Sequence, residues 1–87
     1  MNTAPASGSL AQLRAKTDRQ LTVLLRRELE RGHSLVDGSR LCAARRSYQT
    51  AETLLAMAQL AGPERDRLQR ELDRLREALS RRAMSAA

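Results

Sequence analysis

Few side chains in this sequence could carry out catalysis or bind a metal. The chain has one cysteine, Cys42, and one histidine, His33. It therefore lacks the ligand set of a zinc site and the partners of a nucleophilic triad. It also has no glycine-rich phosphate-binding loop. We expect no enzymatic activity, and hence no catalytic residue, no cofactor, no metal and no small-molecule substrate.

The single thiol bears on location. One cysteine cannot form an internal disulfide, and small secreted domains usually carry several pairs. The sequence shows neither a secretory signal nor an apolar run of the roughly 18 residues that a membrane span needs. We therefore expect a cytoplasmic protein with no membrane partner. Cys42 is predicted to be a small buried apolar residue, and a reactive regulatory thiol is the alternative.

Arginine dominates the charge. The formal net charge is +6, from 16 basic and 10 acidic residues, and Lys16 is the one lysine. Such a balance favours nucleic acid or acidic partners. The arginines are nevertheless mixed with acids, and Tyr48 is the one aromatic residue available for base stacking. Arginine-dependent nucleic-acid binding is therefore an alternative function, and acidic protein partners suit the same surface.

The elements that would position these residues are all helical. Hydrophobic residues make up 41% of the 87 residues and are mostly leucine and alanine, whereas the β-branched residues typical of strands are scarce. We predict an all-α, antiparallel three-helix bundle over residues 9–82. Its helices span about 9–36, 40–61 and 63–82. Residues 1–8 and 83–87 are predicted to be a flexible N-terminal tail and a frayed C-terminal tail.

The first predicted helix begins at a capping Ser9 and carries one apolar stripe. Its stripe consists of Leu10, Leu13, Thr17, Leu21, Leu24 and Glu28, widened by Leu25, Leu29 and Leu35. Glu28 is predicted to lie at the stripe's edge or to pair with an arginine, and a register-fixing role in a partner interface is the alternative. The helix ends either at Gly32 or, as we prefer, at Val36 before the Asp37-Gly38 turn, with Ser39 capping the next helix.

The second predicted helix carries two adjacent seams. One consists of Leu41, Ala44, Tyr48, Ala51, Leu55 and Ala58, and the other of Ala43, Ser47, Thr50, Leu54, Met57 and Ala61. A helix that is apolar over so much of its circumference is predicted to be covered on two sides. In the third helix, which follows Gly62-Pro63, one narrow coiled-coil seam consists of Leu68, Leu72, Leu75 and Leu79.

The spacing of Gly32, Ala44, Tyr48 and Ala51 resembles the small and aromatic positions of tetratricopeptide hairpins. It also resembles the bundle of the microtubule-interacting-and-trafficking type. The resemblance implies tight helix packing at Gly32, Ala44 and Ala51. It further implies a groove between helices that binds a partner's helix or extended peptide.

The stretch RRELERG, Arg26 to Gly32, is followed by a turn and a leucine- and alanine-rich helix. This order resembles the small helical co-chaperones of bacterial type III secretion. Those proteins, with a tetratricopeptide-fold partner, hold the needle subunit unpolymerised. The resemblance implies that an exposed edge with Leu25 and Leu29 is offered to the partner.

The sequence thus predicts a non-catalytic protein-association module, an adaptor or a chaperone-like bundle. It would bind a partner helix through apolar helix faces, or associate with itself as a dimer. The predicted partner-binding residues are Leu21, Leu25, Glu28, Leu29 and Tyr48. A small leucine and alanine core leaves little stability margin, so covering its apolar edges with another chain is favourable.

Overall fold

The computed structural model describes the backbone of residues 6–60 and 62–86 and the side chains of residues 16–60 and 62–85. It contains three helices, α1 (Ala6–Asp37), α2 (Leu41–Met57) and α3 (Gly62–Ala86). Each helix packs against the other two, and no strand occurs in the described ranges. The all-α, three-helix prediction is confirmed.

The outer ends of α1 and α3 lie beyond the predicted ones. Helix α1 begins at Ala6, so the segment from Ala6 to Gly8 is helical and Ser9 lies inside the helix. At the other end of the chain, α3 continues to Ala86. The expected frayed segment after Arg82 is therefore helical as far as Ala86, because its alanines and Met84 favour helix and no breaker interrupts them.

Helix α1 ends in a left-handed turn. Ser39 has φ 62°, its N–H donates to the Val36 carbonyl (2.9 Å), and the Arg40 N–H donates to the Leu35 carbonyl (2.8 Å). This pair of bonds is the Schellman arrangement. The later of the two predicted ends is therefore right to within one residue. The prediction that Ser39 caps α2 is wrong, because Ser39 terminates α1, and the N-cap residue of α2 is Arg40 without a side-chain bond.

Helix α2 ends four residues before its predicted end at position 61. Ala58 is extended (ψ 129°), and its N–H makes the last helical bond, to the Leu54 carbonyl. The next N–H, of Gln59, donates to Oδ1 of Asp18 in α1 (3.3 Å). Gly62 adopts φ 67° as the first residue of α3. The chain thus uses the segment after Met57 to cross between helices; position 61 lies outside the described residues.

The core is a leucine and alanine cluster to which every helix contributes. Its buried apolar members are Leu25, Leu29 and Val36 of α1, Ala44, Ala51 and Leu55 of α2, and Leu68, Leu72, Leu75 and Leu79 of α3. Ala58 is buried beside them. The predicted α3 seam is therefore confirmed in full, because its four leucines are the four buried ones.

Small residues bring the helices close together. A Cβ atom placed on Gly32 would lie 2.6 Å from Cδ2 of Leu75, and Ala44 and Ala51 are both fully buried. Gly32, Ala44 and Ala51, for which a packing role was predicted, thus all lie in the buried interior between the helices. Gly32 occupies the interior of α1, where glycine costs about 1 kcal/mol of helix propensity relative to alanine.

No helix in the described part of the chain has an apolar stretch long enough to cross a bilayer.

Candidate partner-binding groove

The side chains best suited to catalysis or metal binding lie apart from one another. Cys42 is exposed, so the prediction of a buried thiol is wrong. Position 42 lies on the face of α2 that turns away from Ala44 and Ala51. His33 is half-buried on α1. Among the described residues, no group of three or more His, Cys, Asp or Glu side chains could hold a metal ion.

Large apolar side chains instead remain exposed, three of them near one end of the bundle and Met84, at 78%, near the other. Val23, Leu24 and Met57 expose 50%, 46% and 59% of their surface, respectively. Two of them belong to rows that were predicted to be buried, and the rows' polar members Thr17 and Thr50 are exposed as well. The predicted coverage of these rows is therefore wrong at Thr17, Leu24, Thr50 and Met57. The side chains of Leu10 and Leu13 lie outside the described residues.

The position of α3 explains the exposure on α1. Nη2 of Arg26 lies 3.9 Å from Oε2 of Glu64, and the Arg82 guanidinium donates to the Asp37 carbonyl (3.0 Å). These contacts place α3 beside the Arg26 side of α1. At about 100° per residue, Leu24 and Glu28 lie on the other side of the buried row through Leu25 and Leu29.

The same reasoning applies to α2. Leu41 lines a small surface cavity together with Arg82 and Ser85 of α3, so the side of α2 that carries Leu41 faces α3. Leu54 and Met57 lie on the other side of the buried row through Ala51 and Leu55. Helix α3 therefore covers one side of the α1–α2 pair, and no described helix covers the other side.

The open side is a groove between two helices, which we call the α1–α2 groove. It is formed by Leu21, Leu24 and Glu28 of α1 and by Thr50, Leu54 and Met57 of α2. The Asp18–Gln59 bond and the turn at Ser39 fix the antiparallel register of the two helices. In that register Leu54 lies near the level of Leu24, and Met57 near the level of Leu21. The register therefore places the apolar side chains of the two helices at similar levels on the same side of the α1–α2 pair.

Glu28 is the acidic residue within this groove. Its side chain is half-buried. The salt bridge found in the described part of the chain joins Arg26 and Glu64 and does not involve it. Glu28 therefore lies at the edge of the buried stripe, as the first of the predicted environments requires, and no arginine among the described residues pairs with it.

The predicted partner-binding residues fall into three environments. Leu21 and Glu28 line the α1–α2 groove. Leu25 and Leu29 expose 0% and 1% of their surface, so the prediction that they form an exposed edge is wrong, because they are central core residues. Tyr48 is half-buried against the core on the α3 side of α2.

Sequence reasoning did not assign Leu24, Leu54 and Met57 to a partner surface. Their rows were visible in the sequence, but both rows were assigned to the buried core. One feature of the sequence could have indicated the exposed surface. Helix α2 carries two apolar seams, and the two other helices of a three-helix bundle cover only part of its circumference, so part of one seam should remain exposed.

Positive charge surrounds one end of the groove. Arg27, Arg31 and Arg46 are exposed. Arg27 follows Leu24 by three residues on α1, and Arg46 precedes Thr50 by four on α2, so each lies one turn from a groove residue. The antiparallel register brings Arg31 and Arg46 to the same level on opposite rims. The groove therefore has an apolar end and a cationic end.

No protein-family model, curated protein or solved structure matches this chain. The resemblances to tetratricopeptide-type hairpins, to the microtubule-interacting-and-trafficking bundle and to secretion co-chaperones stay predictions, because no comparison tests them.

Proposed function

We propose that this chain is a non-catalytic protein-association module that binds an α-helix of another protein in the α1–α2 groove. The observation that carries the proposal is the exposure of Leu24 and Met57, at 46% and 59%. These side chains come from different helices and border the same groove. Exposed apolar patches of this kind, with polar or charged rims, are typical of interaction sites.

The spacing of the groove residues supports a helix as the occupant. Leu21, Leu24 and Glu28 are separated by three and four residues, and Thr50, Leu54 and Met57 by four and three. Such rows lie almost parallel to the helix axis. A third helix laid between them would place its own residues i, i+3, i+4 and i+7 into the gaps. It would complete a second three-helix arrangement that shares α1 and α2 with the first.

The apolar end would supply most of the binding energy. Full burial of one leucine or methionine side chain stabilises by about 1.5–3 kcal/mol, so covering a half-exposed one contributes about 1 kcal/mol. Leu24 and Met57 are the exposed members, and Leu21 and Leu54 are half-buried. Contributions of this size favour a reversible association over an obligate one.

We place this association in the cytoplasm, because an exposed, unpaired Cys42 suits a reducing compartment.

Site-specific photo-cross-linking in the cells that produce the protein tests the proposal. A photoreactive residue at Thr50 in the groove is compared with one at Ser80, an exposed position on α3. We expect a discrete protein adduct from position 50, its loss in the double variant Leu24→Glu/Met57→Glu, and no such adduct from position 80. Equal adducts from both positions, or an adduct from position 50 that survives the double substitution, would contradict the proposal.

Salt dependence separates protein association from nucleic-acid binding. Affinity for nucleic acid falls steeply and log-linearly as salt rises, because phosphate contacts release counterions. Association through Leu24 and Met57 should weaken far less. A ligand recovered from the groove that is nucleic acid and dissociates with a steep salt slope would overturn the proposed function.

A further inference from the structure

We infer that the occupant of the α1–α2 groove is an amphipathic helix of another protein that carries Asp or Glu beside its apolar stripe. This inference rests on the proposed function and specifies the chemistry of the partner. It depends on how charge is distributed around the groove, which differs from the distribution on the rest of the surface.

The rims of the groove carry more arginines than the groove carries acids. Arg27, Arg31 and Arg46 are exposed, and like the arginines of α3 they form no salt bridge with another described residue. Glu28 is the acidic residue in the groove, and it is half-buried. The other acids of these two helices, such as Glu30 and Glu52, lie on faces that turn away from the groove.

The outer face of α3 is different, although it holds more arginines. Seven arginines of α3, at positions 65, 67, 70, 74, 76, 81 and 82, alternate with five acids at positions 64, 66, 71, 73 and 77. Neighbouring charges of opposite sign attract each other at separations of three or four residues. The outer face of α3 thus carries five acids for seven arginines, whereas the groove and its rims carry one acid, Glu28, for three arginines.

The groove also fixes where the partner's acids must lie. Arg31 follows Leu24 by seven residues, which is two turns or about 10 Å along α1, and Arg46 lies level with Arg31 on the other rim. A partner helix that places its apolar residues against Leu24 and Met57 brings its carboxylates to these arginines. They would be about two turns from the partner's apolar anchors, on both flanks of its apolar stripe.

A second copy of this chain fits the groove poorly. If two grooves met with their helices parallel, the arginines of the two cationic ends would face each other. If they met with their helices antiparallel, each cationic end would lie against the apolar end of the other copy. The first arrangement opposes like charges, and the second removes unpaired charges from water. An acidic helix avoids both costs.

Two synthetic peptides test the inference. Each is a helix of about three heptads with leucine in its apolar stripe, and the flanking positions are glutamate in one peptide and lysine in the other. Binding of the fluorescently labelled peptides to the full chain is followed by anisotropy. We expect the glutamate peptide to bind at least about tenfold more tightly than the lysine peptide. Equal binding of the two peptides, or tighter binding of the lysine peptide, would overturn the inference.

Charge reversal on the protein locates the effect. The groove variant is Arg27→Glu/Arg31→Glu/Arg46→Glu, and its control is Arg70→Glu/Arg74→Glu/Arg81→Glu on the exposed face of α3, which changes the net charge equally. We expect the groove variant to bind the glutamate peptide about tenfold or more weakly than the unchanged protein does. It should also bind the lysine peptide more tightly. The control should change little. An equal loss in both variants would show a non-specific charge effect and would overturn the inference.

The remaining outcomes are also decisive. If neither peptide binds while the adduct from position 50 forms as expected, the acidic-helix inference fails and the proposed function stands. If that adduct is absent as well, both fail. If light scattering shows a dimer that the Leu24→Glu/Met57→Glu substitution makes monomeric, a second copy occupies the groove and the inference is overturned.

Discussion

Helix α2 has two neighbouring seams of similar spacing, of which one is buried in the core and the other is partly exposed. The seam with Ala44, Ala51 and Leu55 is buried, with at most 3% of any of these side chains exposed. The seam with Thr50, Leu54 and Met57 borders the α1–α2 groove, and Met57 is 59% exposed. The difference arises from α3, which covers one side of the α1–α2 pair. Periodicity identifies which residues form a row, but it does not reveal whether the cover for that row belongs to the same chain.

The largest expected effect on stability distinguishes two adjacent leucines of α1, of which one lies in the core and the other in the α1–α2 groove. Leu25→Ala removes a fully buried side chain and should lower the free energy of unfolding by about 2–5 kcal/mol, since a cavity remains. The matched variant Leu24→Ala should change it by less than about 1 kcal/mol, because the side chain is half-exposed and alanine favours helix. Urea denaturation measures both. Similar losses in the two variants would erase the distinction between core and groove.

Enlarging neighbouring residues of α2 should give the next largest effect. Ala51→Leu places a bulky side chain where the helices approach closely, and overpacking of this kind costs about 1–3 kcal/mol. Thr50→Leu adds a leucine to the open groove and should leave stability unchanged or slightly higher. Thermal unfolding followed by circular dichroism compares them. A tolerated Ala51→Leu would mean that α1 and α3 do not enclose this side of α2.

The turn between α1 and α2 predicts a stabilising substitution. Ser39 adopts φ 62°, a left-handed conformation that glycine reaches without steric cost, so Ser39→Gly should raise stability by up to about 1 kcal/mol. The same replacement at Ser34, an exposed helical position, should lower it by about 0.5–1 kcal/mol. A destabilised Ser39→Gly variant would contradict the left-handed turn.

The smallest effect is expected at the Arg26–Glu64 salt bridge, which joins α1 to the side occupied by α3. Both side chains are about half-exposed, at 48% and 50%, and the closest N–O distance is 3.9 Å. Arg26→Gln should therefore cost no more than about 0.5 kcal/mol, and 1 M salt should remove most of that difference. A loss above about 1 kcal/mol that persists in high salt would show that this contact is far stronger than an exposed pair.

The sequence was most informative where a single row of large side chains had no competitor. Leu68, Leu72, Leu75 and Leu79 are the leucines of α3, so their spacing identified its buried face directly. Helix α1 offered two rows that overlap, one through Leu21, Leu24 and Glu28 and the other through Leu25, Leu29 and Gly32. The predicted stripe was centred on the first row, with Leu25 and Leu29 as its widening, whereas in the structure Leu25 and Leu29 are the buried residues and Leu24 is exposed.

Other features of the structure depend on contacts between distant residues. Helix α2 ends at Met57 because the chain must cross to α3 beside Asp18, a contact separated by 41 residues in sequence. The left-handed residue at the first turn is Ser39 although Gly38 is adjacent, and residue type alone favoured the glycine. The two apolar rows that border the groove could be predicted from the sequence. Their exposure could not, because it depends on which side of the α1–α2 pair α3 packs against.

The central claim is that one side of α2 is buried by its own chain, whereas the other side is exposed and binds an acidic helix of another protein. Rates of cysteine alkylation test it directly, in a Cys42→Ser background that removes the exposed native thiol. We expect rapid labelling of Met57→Cys, slow labelling of Ala51→Cys, and selective protection of position 57 when the glutamate-flanked peptide is added. Equal labelling rates at the two positions, or labelling of position 57 that the peptide leaves unchanged, would contradict the account.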